Sequence, residues 1–546
     1  MLINKPIRSL ALIAICIIGT TYYSTAQSST DLSNLSGNFE INAQYYRPDS
    51  AIETVDVPEK LLSNGFFNLN YTYGKFAAGI RYESYLNPQL GFDPAYKGSG
   101  IPFRFASFTS DNLKVTVGNF YEQFGNGLIL RIYEERALGI DNSLDGIRVA
   151  YEPIKGIMLK GFVAKERKFF EYPDPVVRGI DGDFQLNDFV KGFEDSKLRL
   201  GVGGSFVSKY QVDDSPSRIL PENVGAWASR VNLNYGNFAL NSEFAYKYND
   251  PSYDNDFIYK NGESFYTSIT YTKKGTGARL NLKRVDNMSY RADRNASFNV
   301  QTINFIPAIN KQLTYRLSTL YPFTTQLLGE MGIGGEFYKT WKPSTKMGGK
   351  HGTTISISGS LVNDIKRDSI DNDTLGYATD FFTIGHKKFY NEFVLEVTKK
   401  VSPKSKFIFT YIYQFYNKKV FEGYPGLITS HIGVVDYTYK ITKAKSIRFE
   451  LQHLLTEQDR KNWAMLLAEY SISPKWSFAV FDEWNYGNDD PDKRFHYYNA
   501  SMAFTEGPTR ISIAYARQRA GLLCVGGVCR LVPASNGVNL TITSRF

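Results

Sequence analysis

The densest grouping of ionisable side chains in the sequence lies between Gly118 and Gly146. Gly118, Gly125 and Gly127 frame Glu122, and Arg131, Glu134, Glu135, Arg136, Asp141 and Asp145 follow closely. Glycines here allow tight bends or a close backbone approach. Opposite charges at this density can line a constriction that contacts a solute, or pair in an interior network that holds an inward-folded segment. The structural pairing is the simpler of the two, and residues 125–146 are the candidate inward-folded stretch.

Other candidates are sparser. Cys524 and Cys529 bracket Val-Gly-Gly-Val, and a close cysteine pair in an exported chain predicts a disulfide. Two thiols without a nearby histidine or second pair make an incomplete zinc site, so no metal is expected. The acidic loops at Asp254–Asp256 and Asp489–Asp492 have oxygen ligands for calcium, but exposed acidic loops are common. Trp484 and Tyr486 could stack on a sugar or belong to an aromatic girdle, and the girdle is the plainer reading. His351, His386, His431, His453 and His496 are scattered, and no nucleophile elbow, zinc-protease or paired-carboxylate motif stands out. The expectation is a non-enzyme with no catalytic residues and no cofactor.

The elements that would carry these residues read as strands. Phe407, Phe409, Tyr411, Tyr413 and Phe415 share one parity; Lys406, Thr410 and Gln414 share the other, with Ile408 and Ile412 between them. Ile447, Phe449, Leu451 and Leu455 alternate with Arg448, Glu450 and Gln452. Phe67, Leu69, Tyr71 and Tyr73 alternate with Asn68, Asn70 and Thr72, and Ile511, Ile513 and Tyr515 with Arg510, Ser512 and Ala514. Such strands put one face in oil and the other in water.

The bulk numbers choose among all-β classes. The chain has 546 residues, 38 Tyr and 39 Phe but 5 Trp. Mean hydropathy is −0.30, and no mature segment offers the ~20 apolar residues of a membrane helix. Aromatic girdles with a polar lumen account for both facts, as in a transmembrane β-barrel. The formal charge is +9, without basic runs or a nucleic-acid motif, so no nucleic-acid partner is expected.

Residues 1–26 read as a signal peptide: Lys5 and Arg8 precede the apolar run Leu10–Ile18, and Ser24-Thr25-Ala26 offers small residues before Gln27. Cys16 follows Ile15, which does not suit a lipobox. Residues 27–546 form the predicted barrel. Short connections (Gly74-Lys75, Asp111-Asn112, Ile154–Gly156, Gly236-Asn237, Ser402–Ser405, Thr442–Lys445, Ser473–Lys475, Thr505–Pro508) alternate with long ones such as Arg47–Gly65, Asn87–Pro102, Asp250–Asn261, Asn363–Lys387 and Asn485–Arg494. With both termini periplasmic, short periplasmic turns and long external loops, the reading is a single large antiparallel barrel of about 26 strands, range about 22–28. An even count puts the Cys524–Cys529 loop in the last external hairpin. Strands from about Asn38 leave no room for a separate plug domain ahead of the barrel, and Val538, Leu540, Ile542 and Phe546 at the end form an amphipathic strand that reads as an insertion signal. Ser544 departs from that signal's usual aromatic or apolar residue.

Several stretches resemble a family of uncharacterised outer-membrane proteins of the Bacteroidota. They are Gly118–Gly146, Tyr246–Ser252, Lys283–Arg294, Tyr321–Glu330 and Gln518–Gly537. The resemblance runs over nearly the whole mature chain. It implies an integral outer-membrane barrel and supplies no catalytic residues and no substrate.

The leading functional expectation is a channel or porin-like conduit for polar solutes. The second is a non-conducting barrel subunit of a larger assembly for secretion, insertion or surface-protein docking, and an outer-membrane hydrolase is a distant third. Expected partners are outer-membrane lipid and lipopolysaccharide, the insertion machinery during biogenesis, and envelope proteins.

Overall fold

Residues of alternating character in an extended chain present two different faces, and a curved sheet can bury one of them by closing on itself. A computed structural model describes residues 34–546 of the protein; the leader, Cys16 and the cleavage site after Ala26 lie outside the described residues. Twenty-four strands form one antiparallel sheet. The first, Leu35–Tyr46, pairs with its chain neighbour Leu61–Tyr73 and with the last, Ser535–Arg545. The sheet therefore has no edge, and a closed barrel satisfies every backbone ladder internally, as the interior of a membrane requires. No helix among the described residues is long and apolar enough to cross a membrane.

The count of 24 lies within the predicted range and two below the predicted count of about 26. Strands Thr276–Asp286 and Gly329–Trp341 pair directly, and the chain between them leaves the wall. That stretch carries Pro307 and Pro322, which cannot donate to a ladder, and its apolar residues lack period two.

Both described termini lie at one end of the barrel, since Asn38 pairs with Arg545. The tight turns Gly74-Lys75 and Gly236-Asn237 lie at that end, with Gly74 and Gly236 at positive φ. Two longer connections, 186–197 and 342–352, share this end, which departs from the prediction of short turns alone. The opposite end carries 86–97, 121–143, 211–222, 248–261, 287–328, 366–383 and 519–534.

The outward face is apolar. Ile80, Val149, Val163, Ile180, Leu361, Leu451, Leu466, Val480 and Ile513 are exposed along it, and Tyr73, Phe76, Tyr235 and Phe238 ring the short-turn end. This is the outward surface of a transmembrane barrel with its aromatic girdle. Phe409 and Leu451 point outward while Thr410 and Gln452 are buried inside, as the alternation requires.

The inward face divides along its height. Near the short turns it is polar: Asn68 Nδ2 donates to Asn38 Oδ1 at 2.7 Å, and Thr541 Oγ1 to Asn42 Oδ1 at 2.9 Å. Toward the long loops it mixes buried apolar side chains with buried ion pairs such as Lys283–Glu330, and it meets chain folded in from that end. One cluster packs Phe162, Val177, Val207, Val224 and Val285 of the wall against Leu128, Ile129, Leu130, Met288 and Ile303. A second packs Val394, Ile412, Ile432, Leu454 and Trp463 of the wall against Ile309, Leu317, Tyr321 and Phe323.

Candidate functional site in the barrel lumen

The wall strand Leu113–Phe120 ends where Tyr121 begins a run that returns only at Leu144–Tyr151. Within this run the chain folds on itself: Ile132 N donates to Glu122 O at 2.8 Å and Phe124 N to Leu130 O at 3.1 Å. The tip reaches the inward face of a distant strand, Phe238–Lys247. There Asn126 N and Nδ2 donate to Glu243 Oε2 at 2.6 and 2.9 Å, and Nδ2 also to Asn241 Oδ1 at 2.8 Å. Gly125 has φ +51°, and a Cβ on it would lie 2.3 Å from Glu243 Oε2. Glycine is required here by both conformation and space.

Residues 287–328 lie against this run. Arg131 N donates to Ile303 O at 2.8 Å and Phe305 N to Gly127 O at 2.9 Å. Asn304 Nδ2 donates to Leu128 O at 3.1 Å and to Met288 O at 2.8 Å. Lys283 of the wall, paired with Glu330 at 2.5 Å, donates to Pro307 O at 2.8 Å. On the other side Leu317 N donates to Gln452 Oε1 at 2.9 Å, and Arg316 pairs with Glu483.

A third element locks these two. Gly521–Val525 and Val528–Val532 form a hairpin in which Cys524 and Cys529 face each other at disulfide distance. Its two-residue turn is Gly526-Gly527, with φ +59° and +86°, a pair that suits a primed hairpin turn. The hairpin belongs to the last long connection, and the structure turns it toward the lumen. Thr325 N donates to Gly527 O at 3.0 Å, Asn299 Nδ2 to Cys529 O at 2.9 Å, and Arg530 Nε to Ala137 O at 2.7 Å.

The seven charged residues singled out in the sequence do not form one cluster. Asp141 sits at the centre of the largest network. It pairs with Arg81 and Arg167, and Tyr121 Oη donates to it at 2.9 Å. Arg167 also grips Glu83, at 2.6 and 2.9 Å, and Arg81 pairs with Glu83 at 2.7 Å and with Glu134 at 3.1 Å. Arg136 joins Glu134 and Glu40, each at 2.7 Å. Burial alone would raise the Asp141 carboxyl, but the Arg81 and Arg167 guanidiniums outweigh it and hold the group below its ordinary value. Removing one member of such a buried network leaves an uncompensated charge, at a cost of about 3–5 kcal/mol.

Glu122 belongs to a separate ladder. It pairs with Arg148 at 2.5 Å and Lys160 at 3.5 Å, and Lys160 leads to Asp181 at 3.8 Å and thence to Arg230 at 2.7 Å. Arg131 lies over the Phe305 ring, 4.0 Å from its centroid, and Glu135 caps the Ala137 N–H at 3.1 Å. Asp145 is not in the lumen. It shares parity with the exposed Ile147, Val149 and Tyr151 and pairs with Arg104 at 3.0 Å on the outer side. This corrects its assignment to the lumen cluster; strand alternation, applied through residue 145, carries the signal.

Arg81, Glu83 and Arg167 were missed by sequence reasoning. They lie on or beside other strands of the same series, and only the curvature of the wall brings them to Asp141. Of the other candidates, Val538, Leu540 and Ile542 lie on the last strand with outward parity, and Phe546 stacks on Phe67 at 6.2 Å. Trp484 is exposed on the outer face, stacked on His496 at 5.2 Å. Tyr486 stacks on His453, with Oη 2.7 Å from Nε2. Asp254 is paired with Arg291 at 2.6 Å, and Asp489 with Lys461 at 2.5 Å. No group of three or more metal-ligating side chains forms among the described residues.

A family model described as a family of unknown function (DUF6029) matches residues 5–546. None of the curated proteins compared matches the chain. Among solved structures, the outer membrane protein OpdK from Pseudomonas aeruginosa aligns over 94% of this chain and 99% of its own at 9% identity, TM-score 0.34. The siderophore receptor PirA from the same organism aligns over 95% and 81% at 9% identity, TM-score 0.42. OccAB3 from Acinetobacter baumannii aligns over 94% and 99% at 9% identity, TM-score 0.35. Likeness at these scores carries nothing about what this barrel does.

Proposed function

This chain belongs to a family of unknown function (DUF6029), and from its own residues we propose that it is an outer-membrane channel, a porin-like conduit for polar solutes. The observation that carries this reading is the divided inward face. Toward the short turns it is lined by Asn38, Asn42, Asn68, Asn70 and Thr541, as a water-filled passage would be. Toward the long loops the passage is narrowed by residues 121–143, 287–328 and the disulfide hairpin, so conduction is gated.

In this reading the termini face the periplasm, the long loops face outward, and the source is a bacterium of the Bacteroidota, as the resemblance of the Gly118–Gly146 stretch implies. No catalytic role is assigned. The closing experiment is planar-bilayer conductance of the purified protein and of a variant in which residues 122–142 are replaced by a short Gly-Ser linker. Small or intermittent currents are expected from the parent and larger steady currents from the variant. Silence from both at all voltages would sink the conduit.

A second reading is favoured by the two apolar clusters, which bury residues such as Leu128, Leu317 and Trp463 completely. A permanently sealed barrel would serve as a docking subunit of an envelope assembly. Stoichiometric co-purification of an envelope protein in mild detergent, together with bilayer silence, would favour it.

A further inference from the structure

Between the two apolar clusters the lumen is not filled. A cleft of about 370 Å³ remains among the stretch 305–323, the wall at Tyr390, Glu392 and Gln414, and the hairpin residues Leu522–Gly527. Its volume is at the small end of the range of ligand sites, about 300–1,000 Å³. Phe305, Leu313, Phe323, Leu522 and Leu523 give it apolar walls.

Its polar end is unusual. Glu392 is 4% exposed and lines the cleft. Tyr390 Oη donates to Glu392 Oε2 at 2.7 Å, whereas Glu392 Oε1 has no hydrogen-bond partner. Gln414, 1% exposed, donates its amide N–H groups to Ser318 O at 3.2 Å and Tyr390 Oη at 3.1 Å, and its Oε1 has no donor. Lys311 also lines the cleft but is turned to Glu336 at 3.2 Å. A buried carboxylate oxygen without a donor is costly, and so is a buried amide oxygen without one. The complement to both oxygens is one group that carries positive charge and several N–H donors.

We propose that this cleft is a binding subsite for a small solute bearing a primary ammonium group on an apolar body. The ammonium donates to Glu392 Oε1 and Gln414 Oε1, and the body lies against Phe305 and Phe323. The proposal deepens the conduit reading by naming a solute class, and it rests on that reading only for the idea that the ligand passes through.

The test is binding of phenethylamine and of its neutral counterpart 2-phenylethanol to the full-length protein in detergent micelles, by saturation-transfer NMR with titration. The amine is expected to bind at least about tenfold more tightly than the alcohol, the factor that a charge-assisted hydrogen bond supplies. Glu392→Gln is expected to erase that preference. Leu522→Trp, which fills the cleft and leaves the carboxylate in place, is expected to abolish binding of both probes and stands in if Glu392→Gln does not fold. Equal affinity for the two probes, no binding of the amine, or binding untouched by either folded variant would overturn the subsite. Binding in micelles requires no conduction, so a barrel that binds the amine and never conducts removes the conduit and keeps the subsite. One that conducts and does not bind does the reverse.

Discussion

The ring of the last residue, Phe546, lies directly against Gly37 of the first barrel strand, and the two exchange both backbone hydrogen bonds at 3.0 Å. A Cβ on residue 37 would lie 2.4 Å from Phe546 Cζ and 2.7 Å from Asn68 O. The C-terminal aromatic thus completes the seam at which the barrel closes, and Gly37 provides the space for it.

Gly37→Val should therefore weaken closure. The extra methyls must displace either the ring or the neighbouring backbone, an overpacking cost of about 1–3 kcal/mol. The expected result is a smaller fraction with heat-modifiable gel migration and a lower midpoint of urea unfolding in micelles. Phe546→Ala in the same background should recover part of the loss by vacating the clash, and an unchanged midpoint in Gly37→Val would refute this account of the seam.

Arg167 bridges Glu83 of the wall and Asp141 of the inward run. Arg167→Met should leave both carboxylates short of a partner and cost about 3–5 kcal/mol. Hydrogen exchange should then accelerate in residues 121–143 before the wall strands respond. Uniform protection in the variant would show that the network does not hold this run.

The same network should respond to acid. The Asp141 carboxyl is held below its ordinary value in the folded protein. Its contribution is therefore fully present above the unfolded-state value of about 3.9 and is lost as pH falls through the lower folded value. Exchange of residues 121–143, corrected for its intrinsic pH dependence, should be flat from neutrality to about pH 5 and rise at more acidic pH. A rise between pH 7 and 6 would point to a different group.

Reduction, or Cys524→Ser with Cys529→Ser, should free the lumen hairpin. Closing so short a loop contributes about 2 kcal/mol in the chain-entropy picture. The barrel should keep its fold, while proteolysis within 519–534 speeds up and current noise in bilayers grows. If neither changes, the contacts of Arg530 with Ala137 and of Thr325 with Gly527 hold the hairpin without help from the sulfurs.

Leu451→Arg and Gln452→Leu separate the two faces of one strand. Leu451 is exposed on the outer surface, where arginine near the middle of the bilayer costs about 2–4 kcal/mol. Gln452 is fully buried inside and accepts from Leu317 N, so its replacement should loosen residues 309–323 and spare insertion. Reading the two effects by membrane insertion yield and by exchange of 309–323 checks the face assignment directly; reversed effects would invert it.

What could be read in the chain itself follows from period two. A run such as Phe407, Phe409, Tyr411, Tyr413 and Phe415 can put its apolar side chains on one face only as a strand, and that choice is local; composition then marks the face as membrane-facing. The tight turns at Gly74-Lys75 and Gly236-Asn237, the amphipathic last strand and the Cys524–Cys529 pairing are local in the same sense. Ile408 and Ile412, on the otherwise polar parity of their strand, were a further signal: apolar residues facing a lumen mean that something packs there. What packs there was settled only by closure of the barrel. Residues 287–328 fold inward without a periodic pattern to announce it, because their partners are Leu128, Gln452 and Gly527, distant in the chain and adjacent only across the lumen. Asp141 could be seen as a charge in a dense stretch, but Arg81, Glu83 and Arg167 became its surroundings only when the wall curved round it. A strand's two faces are a property of its own residues; the choice of what fills the space between 24 of them belongs to the tertiary structure.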